Sequence, residues 1–248
     1  MKAMVLAAGL GTRLRPLTND RPKALVEIGG RTLLEITLTR LRDFGIRDVI
    51  INVHHYADMV IDLLKAAGNF GMRIEFSREE ILLDTGGGLK KAAWFLGDSG
   101  TKEEDPFILH NVDVISNIDL QRVVESHIQT KALATLAVQE RKSSRYLLFD
   151  EEGQLCGRRL VKEEKTEVVR SPQQMTELAF SGIHVISPRI FPMLTEEGIF
   201  SIIPAYLRLA AQGEKIQAFR ADEYYWRDLG KAENIRQAEL DIKANLVQ

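Results

Sequence analysis

Short apolar runs alternate with stretches of helical spacing through the first 140 residues, and the alternation predicts the order of elements. Residues 2–7 form an apolar run stopped by Gly9, which reads as a buried strand. Thr32-Leu33-Leu34-Glu35 is a capping box, in which the threonine hydroxyl and the glutamate three residues on satisfy each other's free amides. Leu33, Ile36, Leu38 and Leu41 follow with helical spacing, and Gly45 ends that helix. Residues 48–53 (DVIINV) are the next strand, 57–67 a helix closed by Gly68, 72–77 a strand and 89–96 a helix. Residues 107–110 are a fourth strand, 119–129 a fourth helix and 132–138 a fifth strand.

Repeated strand–helix units predict an α/β chain with a Rossmann-like, mostly parallel mixed sheet, helices on both faces and right-handed crossovers. Ligands of such sheets sit beyond the carboxyl ends of the strands, which is where the turn after the first strand lies. The second half is richer in strands. Residues 146–149 and 154–160 read as a hairpin around Glu151-Glu152-Gly153, 178–186 and 215–220 as further strands, and 201–212 and 231–246 as helices. The polar segment 162–176, with Pro172, reads as a loop or flap. No break in composition separates the halves. One domain over 1–248 is expected: a first part, 1–140, a smaller β-rich part, 141–230, lying over the sheet, and a terminal helix in 231–248.

Apolar residues make up 45% of the 248, enough for a sizeable core. Lys and Arg number 33 against 35 Asp and Glu, so the chain lacks the basic excess of a general nucleic-acid binder. Any basic patch must be local. The single cysteine, Cys156, excludes an internal disulfide framework and a cysteine-rich zinc site, and it fits a reducing compartment. The apolar start MKAMVLAAG runs into Gly-Thr-Arg-Leu-Arg rather than a cleavage site. No run approaches the roughly 18 apolar residues of a membrane span. These features predict a soluble cytoplasmic protein, a monomer or small homo-oligomer, with neither nucleic acid nor membrane as partner.

The local basic patch is the opening itself. Gly9-Leu10-Gly11-Thr12-Arg13-Leu14 follows the first strand, and Arg15, Arg21 and Pro22-Lys23 come next. A GxGxxG dinucleotide fingerprint needs glycine where Leu14 stands, and an acid after the second strand, where the chain reads Asn52-Val53-His54-His55. A Walker loop needs Gly-Lys-Ser/Thr, which occurs nowhere. What remains is a two-glycine turn whose amides form an anion nest, with cations in reach and a path stiffened by Pro16 and Pro22. Arginine supplies a planar fork for phosphate oxygens and lysine a point charge. One such cation would read as a solvated surface charge. Four after a glycine turn at a strand's carboxyl end point to a polyphosphate.

LAAGLGTRLRPLT followed by PKAL resembles the signature of the sugar-1-phosphate nucleotidyltransferases, which make nucleotide sugars, and the resemblance extends to Asp228. It implies that Ala8, Gly9, Gly11 and Thr12 hold the triphosphate of a nucleoside triphosphate. It also implies that Arg13 contacts the departing phosphates and that Lys23 stabilises charge at the reacting phosphate. Leu83-Asp84-Thr85-Gly86-Gly87-Gly88 reads by itself either as a helix N-cap with a flexible approach or as glycines stripped of side chains so that a flat base can lie against backbone. The resemblance favours the second, with Thr85 and Gly86 reading base and ribose. The spelling Asp-Thr-Gly-Gly-Gly is similar to the N-acetylmuramate-1-phosphate uridylyltransferase and mannose-1-phosphate guanylyltransferase branches.

Two acids follow apolar stretches, where an unpaired carboxylate is costly: Asp113 in FILHNVD and Asp228 in YYWRDLG. Triphosphate chemistry calls for a divalent cation, and magnesium takes a few carboxylates together with substrate oxygens. The resemblance implies Mg2+ on Asp113 (Asn-x-Asp) and Asp228 (Trp-x-Asp-x-Gly), with Arg13, Lys23 and Asp113 as the catalytic groups. Val112 stands where many relatives have glycine and would crowd the acceptor. Asn111, Ser181 and Gly182 are the implied sugar contacts, while Val161-Lys162-Glu163-Glu164 replaces the family's Glu-Lys-Pro element.

His54, His55 and His110 lack metal-ligand spacing and read as hydrogen-bonded histidines, His55 beside the nucleotide. Cys156, Tyr225 and Trp226 read as packing residues. The implied reaction transfers NMP to a sugar-1-phosphate and releases pyrophosphate, in supply of cell-envelope nucleotide sugars. UTP with N-acetylmuramate-1-phosphate comes first, then GTP with mannose-1-phosphate or a heptose-1-phosphate. A nucleotide-sensing homologue without catalysis is opposed by the intact Arg13, Lys23, Asp113 and Asp228. A kinase is opposed by the missing phosphate-loop motifs. Many relatives carry a terminal left-handed β-helix; no hexapeptide repeat follows Asp228, so no second activity is expected.

Overall fold

Thr32 begins the first helix as its sequence predicts, its hydroxyl accepting from the Glu35 amide at 3.1 Å. The Glu35 carboxylate turns instead to Arg31, at 3.5 Å. Asp119 likewise opens a later helix, accepting from the amides of Gln121 and Arg122 at 2.9 and 3.2 Å. The structure, a computed structural model, describes residues 1–97, 105–244 and 246. Its first elements are β1 (Lys2–Leu6), β2 (Glu27–Ile28), β3 (Arg31–Thr32), α1 (Leu33–Asp43), β4 (Asp48–Val53), α2 (Ala57–Ala66), β5 (Arg73–Arg78), α3 (Asp84–Lys91) and α4 (Ala93–Leu96). Then come β6 (Phe107–Asn111), β7 (Val114–Ser116), α5 (Leu120–Thr130), β8 (Ala134–Gln139), β9 (Arg145–Phe149), β10 (Leu155–Leu160), β11 (Lys165–Val168) and β12 (Thr176–Ile186). The last are α6 (Ile202–Ala211), β13 (Ile216–Arg220), β14 (Trp226–Asp228) and α7 (Ala232–Lys243).

β5, β4, β1 and β6 lie side by side and parallel. β12 runs antiparallel beside β6, β8 returns beside β12, and β13 is parallel to β8. The meander β9–β10–β11 joins the same sheet at the first residues of β12. The result is the expected α/β architecture with a mixed sheet, but the expected parallel majority does not hold. Among the described residues, four strand pairings of this sheet are parallel and five antiparallel, because β12 and the β9–β10–β11 meander turn back beside their neighbours. Alternation along the parallel strands explains its two cores. Val5, Ile51 and Ile108 face one apolar cluster with α1, α2, α5 and α7. Met4, Ile50 and Leu109 face the other with α3, α4 and α6. Each such side chain, fully buried, stabilises by about 1.5–3 kcal/mol.

Three further expectations need correction. The helix placed at 89–96 starts at Asp84 and breaks at Ala92, so all three glycines lie inside α3. The loop placed at 162–176 contains edge strand β11, which pairs with β10 from Gly157↔Val168 to Leu160↔Lys165. The helix expected to reach 246 ends at Lys243, and residues 245, 247 and 248 lie outside the described residues. No helix of the described residues is long and apolar enough to cross a membrane.

Candidate active site

Leu6 closes β1 and pairs in register with Asn52 of β4 and Asn111 of β6. Three strand ends are therefore level, and the chain leaves the middle one as Ala7-Ala8-Gly9. The Ala7 amide donates to Asn52 Oδ1 at 2.7 Å, and Asn52 Nδ2 donates to Glu79 Oε1 at 2.8 Å. The other Glu79 oxygen accepts from the Leu83 amide at 2.9 Å. This buried brace ties the glycine loop to the start of α3. Asn52 had counted in the sequence only as the lack of an acid; its signal was a polar side chain closing an apolar strand.

Gly11 adopts φ +64°, and a Cβ there would come within 2.9 Å of Thr18 Cγ2 and 3.0 Å of Lys23 Cβ, so only glycine fits. Lys23 follows Pro22 in a single turn, Lys23–Leu25, with its stem buried. Its ammonium forms an ion pair with Asp113 Oδ2.

A cleft of about 450 Å³ opens at these strand ends. Leu6, Ala7, Ala8, Gly9 and Asn52 line it from one side, and Lys23, Asn111, Val112 and Asp113 from another. Leu82, Asp84, Thr85 and Ile199 complete the wall. A Cβ added to Gly9 would meet nothing within 4 Å. The cleft sits where the chain reverses direction across the sheet, with β4 on one side of β1 and the later strand β6 on the other.

Asp228 joins the site through the two-stranded ladder of β14 and β7, where it pairs with Val114. The Leu229 amide donates to the Asp113 carbonyl at 2.8 Å, so the two aspartates lie on neighbouring chain segments. Asp228 Oδ1 accepts from the Gly230 amide at 2.6 Å. A Cβ on Gly230 would lie 2.7 Å from Arg13 Nη2 and 2.7 Å from Asp228 Oδ1. The glycine of Trp-x-Asp-x-Gly thus leaves room for Arg13, and residues 13, 23, 113 and 228 converge.

Arg40 of α1, unnoticed in the sequence, fastens this corner. It donates to Ser116 Oγ at 2.7 Å and to the Ile118 carbonyl, and it lies 3.3 Å from His110 Nε2. His110 Nδ1 sits 2.8 Å from the Asn111 carbonyl. Burial first, then the Arg40 charge, lowers the His110 pKa to about 3. A neutral ring that donates from Nδ1 and accepts at Nε2 satisfies both neighbours.

Other expected residues lie differently. Gly86 is absent from the cleft lining; a Cβ there would strike the Phe200 ring, one at Gly87 the Gly198 carbonyl, and one at Gly88 Glu79 and Asn52. Those bare positions are filled by protein. Thr85 lines the cleft, and its hydroxyl also accepts from the Ile202 amide at 3.0 Å at the start of α6. Ser181 is fully buried outside the lining, with its hydroxyl unpaired among the described residues. Gly182, at φ +75° in the irregular part of β12, packs behind Asn111 and Val114. Thr12 and His55 line a second, smaller cleft of about 310 Å³ with Arg15 and Tyr56. Ile199, missed in the sequence, is 64% exposed at the main cleft's edge.

A glycine loop at the switch point of a mixed α/β sheet, with two cations and two aspartates on neighbouring segments, is the arrangement of a nucleotide-type α/β protein. The chain belongs to the nucleotidyl transferase family, whose model matches residues 2–245. It is 34% identical to the N-acetylmuramate alpha-1-phosphate uridylyltransferase of Caulobacter vibrioides, over 99% of this chain and 97% of that protein. It is 30% identical to a mannose-1-phosphate guanyltransferase of Yarrowia lipolytica, over 93% of this chain but 61% of that longer protein. Its fold matches HddC from Yersinia pseudotuberculosis complexed with GMP-PN, with TM-score 0.74 and 24% identity over 97% of this chain and 99% of that one. A putative glucose-1-phosphate thymidylyltransferase from Bacillus anthracis matches with TM-score 0.77 and 18% identity, over 97% and 94%.

Proposed function

We propose that this protein is a sugar-1-phosphate nucleotidyltransferase that transfers NMP from a nucleoside triphosphate to a sugar-1-phosphate. The observation that carries the reading is that Lys23 and Asp113 line the cleft with Gly9, while Arg13 and Asp228 meet at Gly230, on the chain segment hydrogen-bonded to Asp113. An oxygen of the acceptor phosphate attacks the α-phosphorus, the bond to the β-phosphate oxygen breaks, and pyrophosphate leaves. The attacking oxygen is already ionised, so no general base is required. Ala8 and Gly9, which line the cleft, approach the polyphosphate with Gly11 and Thr12 on the same loop, and Thr85 lies on the nucleoside side with Gly86 packed behind it against Phe200. Lys23 and Arg13 place fixed positive charge where negative charge develops, each worth about 3–4 kcal/mol when well aimed.

Asp113 and Asp228 offer hard oxygen donors, and Asp113 already attracts a cation in the form of Lys23. They fit a magnesium ion, which would share its coordination with substrate phosphates. Bound there, the ion supplies charge neutralisation to the phosphates.

UTP with N-acetylmuramate-1-phosphate is the first substrate pair, supported by the relative matched over 97% of its length. GTP with mannose-1-phosphate is the second, supported by the guanyltransferase relative. Asn111, which lines the cleft, is the sugar-side contact of this reading, with Gly182 packed behind it and Ser181 fully buried outside the lining, and its setting is a cytoplasmic monomer or small oligomer. Pyrophosphate release across four nucleoside triphosphates and a panel of sugar phosphates, with and without magnesium, tests it. D113N and D228N should each abolish release while keeping the wild-type melting curve. Release by either variant near the wild-type rate would refute the roles given to the two aspartates.

A further inference from the structure

Among the described residues, burial lowers the pKa of two arginines, Arg40 and Arg141, each to about 10. Both stay charged at neutral pH, and neither forms an ion pair with a carboxylate. Arg40 is fully used: Ser116, the Ile118 carbonyl and His110 surround its guanidinium. Arg141 is not. Its Nη2 donates to the Phe180 carbonyl at 2.7 Å, its Nε is buried without a partner, and its Nη1 makes no hydrogen bond among the described residues.

Arg141 lies two residues beyond β8, with its guanidinium carbon 3.6 Å from the centre of the Trp226 ring. Trp226 is itself fixed, donating from Nε1 to the Ser181 carbonyl at 2.7 Å. Trp226 and Asp228 are two apart on β14, so their side chains leave the strand on one face. Asp228 is the carboxylate whose charge bears most on Arg141. A cation stacked on a ring keeps its edge free for a planar fork of hydrogen bonds, and a half-buried charge without a counter-ion is costly until an anion arrives.

We infer that Arg141 binds the phosphate of the acceptor sugar-1-phosphate, entering beside Asp228 on the Trp226 side of the site. The inference rests on the reaction proposed above and gives its acceptor a cation of its own, separate from Arg13 and Lys23 on the nucleotide side.

Steady-state kinetics of R141Q and R141K, with the substrate pair the wild type uses, test it. R141Q should raise KM for the sugar-1-phosphate about 10-fold or more, with KM for the nucleoside triphosphate changed less than about 2-fold. R141K, which keeps the charge but loses the fork, should fall between. Equal changes in the two KM values, or none, overturn the inference. So does a lowered melting temperature in R141Q with the wild-type ratio of KM values, which would reduce Arg141 to a prop for Trp226. A second measurement needs no turnover. Inorganic phosphate should raise the melting temperature of wild type and of R13A, but not of R141Q or, to the full extent, R141K; an equal rise in all four overturns the inference. Absence of pyrophosphate release from the wild type would refute the reaction instead, and the phosphate shift would still decide whether Arg141 is an anion site.

Discussion

Gly9 and Gly86 each belong to a glycine cluster after a parallel strand, and in sequence the two clusters read alike. In the fold they differ in what faces the missing side chain. At Gly9 it is the open cleft; at Gly86, Gly87 and Gly88 it is the Phe200 ring, the Gly198 carbonyl and the Asn52–Glu79 pair. Gly9 of the first cluster is bare toward open space, while Gly11 beside it and all of the second cluster are bare toward the protein. A run of glycines thus marks close approach without saying what approaches, and only the neighbours decide.

The contrast is open to direct attack. Gly9→Val should lower turnover about 10³-fold, a barrier increase of ~4 kcal/mol, and leave the melting temperature unchanged. A large thermal loss without a rate effect would place Gly9 with the packing glycines. Gly87→Ala should do the reverse, because the Gly198 backbone cannot yield as a flexible side chain does. A stability loss of about 3 kcal/mol is expected, read as a fall in melting temperature of roughly 6–12 °C. An unchanged melting curve would break the comparison from that side.

Asn52 joins the clusters, holding the Ala7 amide with one atom and Glu79 with the other. Asn52→Ala should cost about 2 kcal/mol through the two buried groups left unpaired and should also slow turnover. A stability loss with full activity would show that the brace serves α3 alone.

The last effect is the smallest per residue and is common to both clusters. Burial holds the His184 pKa down at about 3, with His110 adding to the effect, and burial with Arg189 holds His127 at about 4. An unfolded chain takes up these protons near pH 6.5 and the folded chain refuses them. The two histidines contribute stability in full above pH 6.5 and lose it as pH falls toward those values. At pH 5.5 each should lower stability by about 1 kcal/mol. Thermal scans should shift equally in wild type, Gly9→Val and Gly87→Ala; an unequal shift would couple one cluster to these histidines.

Much of this was legible in the chain because period and punctuation agreed. DVIINV gave β4 to the residue, and Thr32 and Asp119 marked the starts of their helices. What stayed hidden was decided by tertiary contact. The helix expected from residue 89 begins instead at Asp84, where the Phe200 carbonyl accepts from the Gly86 and Gly87 amides and no side chain on the three glycines stands in the way, despite glycine's poor helix propensity. β11 carries the polar residues KTEV on the sheet edge, with no alternation to reveal it. In the site, Asp113 and Asp228 announced themselves as acids after apolar runs. Arg40 and Arg141 resembled ordinary surface cations, and Ile199 gave no signal, because their importance lies in neighbours far along the chain.

β12 starts beside β9 at Thr176 and ends beside β6 at Ile186, so one strand belongs both to the outer hairpin and to the sheet under the cleft. A girder shared in this way makes a poor hinge, since bending it would tear ladders along both of its edges. The walls of the gap between the substrates are then carried on one stiff frame, with the exposed Ile199 at its edge. The spacing across the gap is set when the chain folds.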